Sequence, residues 1–439
     1  MLLNQRGIAL PLTLLILLVV VSIVIALLAV AGHEPMISKN LAESTQARFA
    51  AEAGVEAAFD TLAVTTNWSD LLVNADAQTG KQLFKDRSIG SLTASHGTYT
   101  VLLRNDSLAG DPAVTGVAAD GGGATQDTNK VMIVTSTGST SRGTRRIRAV
   151  VKKLAFPPGL FPGALNIPGT EAETFFNGTS FTVDGRGYKM DGTRDGGCSS
   201  VYGIAVSPVL GKPPGSNEAV VEASLSASQL ANIWGKSQTG GPDTSGKPTI
   251  APDPTLTPTM IKNFIDQAKA SADVVLTSNQ PSGLSMSNIG STCSTDPKSQ
   301  TCWGYKDPIS GEIVSKVVYV KGSPDPKSLF TALNVSGTST GYGVLIVEDG
   351  DFKINGSFTW NGAIIVTGDY VGLGFMGGGP QTVYGAVISN ETATDPGFFE
   401  GWVAGNAQIR NSCEALTAAM DRNRRLTSIV SWKDLAPGE

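Results

Sequence analysis

Histidine is almost missing from this sequence: His33 and His96 are the two in 439 residues. Without a well-placed imidazole there is no Ser-His-Asp set. No other donors cluster beside either histidine, so both read as solvated groups rather than metal ligands. Cysteine is scarce as well, and the four present are spaced too widely for a usual zinc site. Charge is low, 16% of residues with a net of −5, and there is no basic block. That excludes an electrostatic nucleic-acid binder. Aromatics are modest at 7%. Asp349, Asp351 and Asp369 invite comparison with the acidic clusters of β-helical polysaccharide-cleaving enzymes, but no two carboxylates stand at a readable acid–base spacing. No enzyme is expected.

What is plentiful is glycine (51), proline (23) and one long apolar run. Ile8 to Ala31 holds no charge. At about 1.5 Å per residue, a helix of that length crosses the ~30 Å hydrocarbon core with slack for tilt. Arg6 and the amino terminus keep the head cytoplasmic, so everything after Ala31 lies outside the inner membrane. The rival, a cleaved secretory signal, has a shorter apolar region and a small-residue cleavage site, which Val30-Ala31-Gly32-His33 matches badly. In an exported chain the cysteines read as disulfides.

Helical periodicity continues past the span. Leu41, Ala42, Thr45, Phe49, Ala50, Ala53, Ala57 and Ala58 recur at three- and four-residue steps, with Glu43, Arg48, Glu52 and Glu56 between them. This predicts an amphipathic helix with a narrow small-residue face, ending near Leu62 and kinked or broken at Pro35. An Ala-lined face suits a helical bundle better than a lone stalk.

Gln5-Arg6-Gly7-Ile8-Ala9-Leu10-Pro11-Leu12-Thr13, the apolar run, and Phe49-Ala50-Ala51-Glu52-Ala53-Gly54 together resemble the amino terminus of the PilX family of type IV pilus minor pilins. More distantly they are similar to GspK pseudopilins of type II secretion. The resemblance covers about 60 residues. It implies cleavage by a prepilin peptidase between Gly7 and Ile8, and methylation of Ile8. Its implied partners are other major and minor pilins, the peptidase, the inner-membrane assembly platform, and a tip adhesin or a host or glycan surface. The implied location is the inner membrane first, then the pilus and cell surface. The chain departs from the family at Leu12, where most pilins carry a glutamate that pairs with a neighbour's amino terminus. A carboxylate in lipid is costly unless paired, and a first subunit has no earlier neighbour, so Leu12 points to an initiating, tip-located subunit. A membrane-anchored adhesin and a type II secretion pseudopilin are the alternatives.

Strand patterns follow. Gly97–Leu103 alternates; Val131–Gly138 and Thr144–Lys152 flank a short polar turn and form a hairpin. Arg145, Arg146, Arg148, Lys152 and Lys153 read as the solvent face of a strand. Asp106 to Lys130 reads as a mobile loop. The Pro/Gly-rich Phe156–Gly163 marks a boundary.

Beyond it Gly343-Val344-Leu345-Ile346, Gly362-Ala363-Ile364-Ile365 and Gly385-Ala386-Val387-Ile388 share one opening, echoed at Gly163-Ala164-Leu165. Steps near 20 residues are those of solenoid rungs. Residues 341–412 read as a small stack, with Gly163 to Gly185 a separated first rung; an antiparallel sandwich is the alternative. An insertion at about 186–335 is expected to carry a helix at Pro258–Ala272 capped by Thr259, a short one at Ser226–Trp234 and a strand at Val317–Val320. Cys293 and Cys302 bracket a short loop and are paired first, leaving Cys198 with Cys413; spacing alone permits three pairings. Asp184, Asp191 and Asp195 precede glycines, which suits turns, with calcium the other reading. No other cofactor is expected. Glu414–Met420 looks helical, Arg422, Arg424 and Arg425 follow as a solvated helix end, and Trp432 is expected to pack back on the body.

The expected fold class is therefore α+β: a long membrane and pilin helix, an antiparallel pilin-like sheet, and a Gly-rich β-solenoid or sandwich. The expected segments are 1–7 leader, 8–63 helix, 64–155 strand domain, 156–412 distal domain, and 413–439 helix and tail.

Overall fold

The computed structural model describes residues 9–65, 67–89, 97–169, 172–208, 216–236, 249–323, 330–392, 401–420 and 426–436. Gly7, Ile8, His96, Lys212–Gly215 and the three tail arginines lie outside them, as do residues 240–248 of the Pro/Thr/Gly/Asp-rich run Gly240–Pro258. The chain divides into two units: Met1–Leu62, Asn67–Lys152 and Ile429–Glu439 form one; Ala63–Thr66 and Lys153–Ser428 form the other.

The first unit is built on helix α1, Ala9–Val64, which runs through Pro35 without ending. Pro35 removes one ladder hydrogen bond but does not break the helix, correcting half of the expectation there. Four strands follow: β1 (Lys81–Ser88), β2 (Thr98–Asn105), β3 (Val131–Ser139) and β4 (Thr144–Lys153). They pair antiparallel in sequence order, with β3 and β4 closed by the Thr140–Gly143 turn. The chain's last strand, Thr427–Leu435, adds beyond β4. Trp432 lies on it, so this segment does pack back on the body, with the indole left 41% exposed.

The sheet covers one side of α1. Ala47, Ala51, Val55, Ala58 and Leu62 are buried, with Tyr99, Val101, Met132, Val134 and Ile147 among the strand residues that share their core. The approach is close: a Cβ on Gly138 would stand 1.9 Å from the Ala47 carbonyl oxygen, and one on Gly54 2.2 Å from Ser136 Oγ. The buried face is therefore rotated from the one expected. Leu41 is 68% and Phe49 57% exposed, because the sheet approaches this part of the helix most closely at Ala47 and Gly54, where no bulk fits.

The segment Asp106–Lys130 is not the loose loop expected. Its aspartates bind it together. Asp111 takes a bidentate hydrogen bond from Arg104 (2.8 and 2.6 Å), Asp120 accepts from the Gly122 and Thr128 backbone N–H groups, and Asp106 accepts from Asn129 Nδ2. Lys153, at the end of β4, is buried rather than on the solvent face.

The second unit is a parallel β-solenoid. Its strands in chain order are β5 (Gly163–Ile167), β6 (Thr174–Asn177), β7 (Thr182–Asp184), β8 (Tyr202–Val206), β9 (Ile233–Trp234), β10 (Ile250–Pro252), β11 (Val274–Thr277) and β12 (Leu284–Ser287). A small hairpin, β13 (Tyr305–Lys306) and β14 (Ile313–Val314), precedes β15 (Lys316–Lys321), β16 (Thr331–Ser336), β17 (Thr338–Glu348) and β18 (Asp351–Ile354). Then come β19 (Ser357–Gly368), β20 (Leu373–Phe375), β21 (Gln381–Glu391), β22 (Gly401–Ala404) and β23 (Ala407–Arg410). One sheet runs β10-β8-β5-β21-β19-β17-β15-β11 and another β12-β16-β18-β20-β22-β6. Pairing within both is parallel, which sets the sandwich aside.

Gly343, Gly362 and Gly385 are partners of one another in β17, β19 and β21, with φ of 127°, 137° and 140°. A Cβ on Gly362 would stand 2.0 Å from the Gly343 carbonyl oxygen. The shared opening seen in the sequence is thus a stacked mid-strand position open only to glycine. After it each strand is buried on both faces, as its unbroken apolar run requires. Leu345, Val347, Ile364, Val366 and Val387 point into the stack. Val344, Ile346, Ala363, Ile365 and Ile388 share a second core with Ile261, Phe264 and Ile265 of α2 (Pro258–Ala270) and Ala419 and Met420 of α3 (Cys413–Met420). Thr257, not Thr259, caps α2, accepting from the Met260 N–H, with Pro258 at the first helical position.

Residues 186–335 are not set apart from the stack as expected: β8, β10, β11 and β15 from that stretch are strands of its main sheet. The rung Gly163 to Gly185 joins at the far end, where β5, β6 and β7 pair with β21, β22 and β23.

Candidate assembly interface

Helix α1 presents two kinds of surface. Leu10–Leu28 has a mean hydropathy of 3.1, and none of it is buried. Leu12 lies there, 56% exposed, with no carboxylate. Further on, Met36, Ile37, Leu41 and Phe49 are all more than half exposed, on residues the sheet leaves uncovered. Exposed apolar groups continuing past a membrane-length segment are the mark of a surface with a further partner.

Beside Leu41 lies a groove of about 240 Å³, lined also by Arg48, Arg145, Arg146, Asp434 and Leu435. Arg48 Nε holds Glu52 at 3.0 Å and its Nη2 reaches Asp434 at 3.8 Å. Arg145 donates to Ser44 Oγ through Nε (2.9 Å) and Nη2 (2.7 Å). The guanidinium groups are thus drawn onto the helix, leaving a mixed polar and apolar rim.

In the second unit the disulfides are Cys198–Cys413 and Cys293–Cys302. The first fastens the segment after β7 to the start of α3. The aspartates considered for calcium are not brought together. Asp184 is held by Arg186 (2.9 and 2.7 Å) and by Tyr188 Oη (2.7 Å), contacts that keep its carboxyl low against burial. Asp191 accepts from Thr193 and Asp195 from the Gly197 N–H, both local turns. Among the described residues no group of three or more His, Cys, Asp or Glu side chains is placed to hold a metal ion.

Asp349, Asp351 and Asp369 do lie near one corner of the stack, joined by a residue the pattern did not single out. Glu391 is 6% exposed, and its carboxyl is pushed up to about 7, chiefly by burial and then by the charges of Glu173, Asp369 and Asp351. Asp351 is raised by burial against the opposing charge of Lys353. In the first unit, burial carries Asp106 up to about 6, helped by the charge of Asp120 and opposed by Asn129. Glu391 ends a long strand, and only the fold puts Glu173, Asp351 and Asp369 around that end.

No protein-family model matches the chain, and no curated protein matches it. Among solved structures it is similar to the competence-associated pilin ComZ from Thermus thermophilus, at 10% identity and a TM-score of 0.24, over 90% of this chain and 97% of that one. At that score the likeness carries no role across.

Proposed function

We propose that the chain is a minor-pilin-like structural subunit that enters a type IV pilus or a related filament through α1. The observation behind this reading is α1 itself. One unbroken helix carries a bare apolar span, then an exposed apolar stretch, then a small-residue face on an antiparallel sheet. A plain membrane anchor has no use for the exposed Met36, Ile37, Leu41 and Phe49 outside the span, whereas a helical bundle covers them.

In this reading prepilin peptidase cuts between Gly7 and Ile8, Ile8 is methylated, and the subunit leaves the inner membrane for the pilus. Its partners are other pilins and the assembly platform. Leu12 supports an initiating or tip position, since an uncharged side chain there needs no partner in lipid. The bulk of Lys153–Ser428 also supports few copies, because a unit of that size is hard to repeat around a thin filament. A Gly7→Ala variant tests the processing step: by intact mass, wild type begins at Ile8 and the variant keeps its leader. A wild-type chain still carrying Met1–Gly7 sinks the proposal.

A further inference from the structure

One row of side chains runs in register across all six strands of the second sheet of the solenoid. Ser285, Asn334, Lys353, Gly374, Trp402 and Phe175 are successive partners along β12, β16, β18, β20, β22 and β6. Their strand neighbours Leu333, Phe352, Leu373, Val403 and Phe176 belong to the core, so alternation turns this row outward.

The row changes chemistry along its length. At one end Trp402 and Phe175 meet with centroids 5.0 Å apart and planes at 70°, and Phe175 is 37% exposed. Next to them Gly374 has no side chain, and Met376 lies over it, its Sδ 3.2 Å from where a Cβ would stand. The other end is amide and hydroxyl. Asn355 Nδ2 donates to Asn334 Oδ1 at 2.7 Å. Lys353 is compensated, at 3.2 Å from Asp351 and 2.8 Å from Thr331 Oγ1.

We propose that this face binds a neutral, linear polysaccharide, with one sugar ring against the Trp402–Phe175 corner and the next rings along Lys353, Asn334 and Ser285. Strands lie about 4.8 Å apart, close to the length of one pyranose unit, so the row offers roughly one side chain per sugar. A sugar has an apolar C–H face for the aromatic corner and equatorial hydroxyls for amides and serine. A nucleic acid needs uncompensated cations along its backbone, and the single lysine here is paired. A protein partner needs about 800 Å² on each side, roughly 450 Å² of it apolar, whereas the aromatic and methionine surface exposed here is on the order of 200 Å². The inference does not depend on filament entry.

The test uses the full chain in a zwitterionic detergent, over an array of immobilised neutral linear hexasaccharides, with oligogalacturonate and single-stranded DNA as anionic probes. At least one neutral hexasaccharide is retained, and both Trp402→Ala and Asn334→Ala weaken it tenfold or more with an unchanged thermal midpoint. Asn334→Ala removes a half-buried amide and one exposed side-chain hydrogen bond but no core residue, so it reads binding even if Trp402→Ala unfolds. No retention of any neutral glycan, retention of only the anionic probes, or wild-type affinity in Asn334→Ala each overturns the proposal.

Discussion

At the residue scale, the buried acids set a pH signature. A carboxyl raised in the folded state holds its proton where the unfolded chain has released it. For Glu391 that window runs from its ordinary 4.5 to about 7. The folded state binds more protons there, so stability is greatest below the window and falls as pH rises through it. Asp106, raised from 3.8 to about 6, acts with the same sign in the first unit. Thermal melts should therefore show a midpoint that drops between pH 5 and pH 8, with a shallower drop in Glu391→Gln. An identical slope in that variant would remove Glu391 from the account. Gly362 makes a second residue-scale case. Alanine there meets both the positive φ and the Gly343 carbonyl, and should destabilise the solenoid by about 3 kcal/mol in urea titration. The glycine openings were legible in the sequence because a backbone position that excludes any Cβ has one residue solution. Glu391 was not, because its neighbours Glu173, Asp351 and Asp369 come from other turns of the chain.

At the element scale, α1 separates packing from assembly. Gly138→Val puts atoms where the Ala47 carbonyl stands, and should cost the first unit about 2–4 kcal/mol. Leu41→Ala and Phe49→Ala remove exposed side chains, and should change stability by less than about 0.5 kcal/mol while sharply lowering recovery in filaments. Equal filament recovery in both would contradict an interface on that face. The helix was plain from its periodicity, but which face it buries was not. Leu41 and Phe49 are the more apolar candidates, and the choice went to Ala47, Ala51 and Gly54 because the sheet demands a close approach. Strand β1 was hidden for another reason: Lys81, Lys85, Asp86 and Arg87 give an edge strand the charge that blunts further pairing.

At the scale of the whole molecule, the long-range tie is Cys198–Cys413, spanning a sequence separation of 215, against 9 for Cys293–Cys302. Chain-entropy reasoning gives upper values of about 5 and about 2.5 kcal/mol for the two. Cys198→Ser with Cys413→Ser should thus lower the midpoint of the second unit more than the Cys293→Ser, Cys302→Ser pair does. The reverse order would mean that the closed loop is not what the long bridge constrains. The rung at Gly163 was visible as a motif, yet its place beside β21 rather than ahead of the 341–412 stack was not, since pairing across more than 200 residues leaves no local trace. Strands β11 and β15 escaped the repeat because they lack its glycine opening: Lys316 stands in β15 where Gly343 stands in β17.

The most direct measurement is the mature amino terminus of this chain in filaments sheared from cells and freed of membrane. The account predicts a small number of copies per filament, each beginning at methylated Ile8. Finding the chain only in inner membrane, or in filaments with Met1–Gly7 still attached, would contradict it.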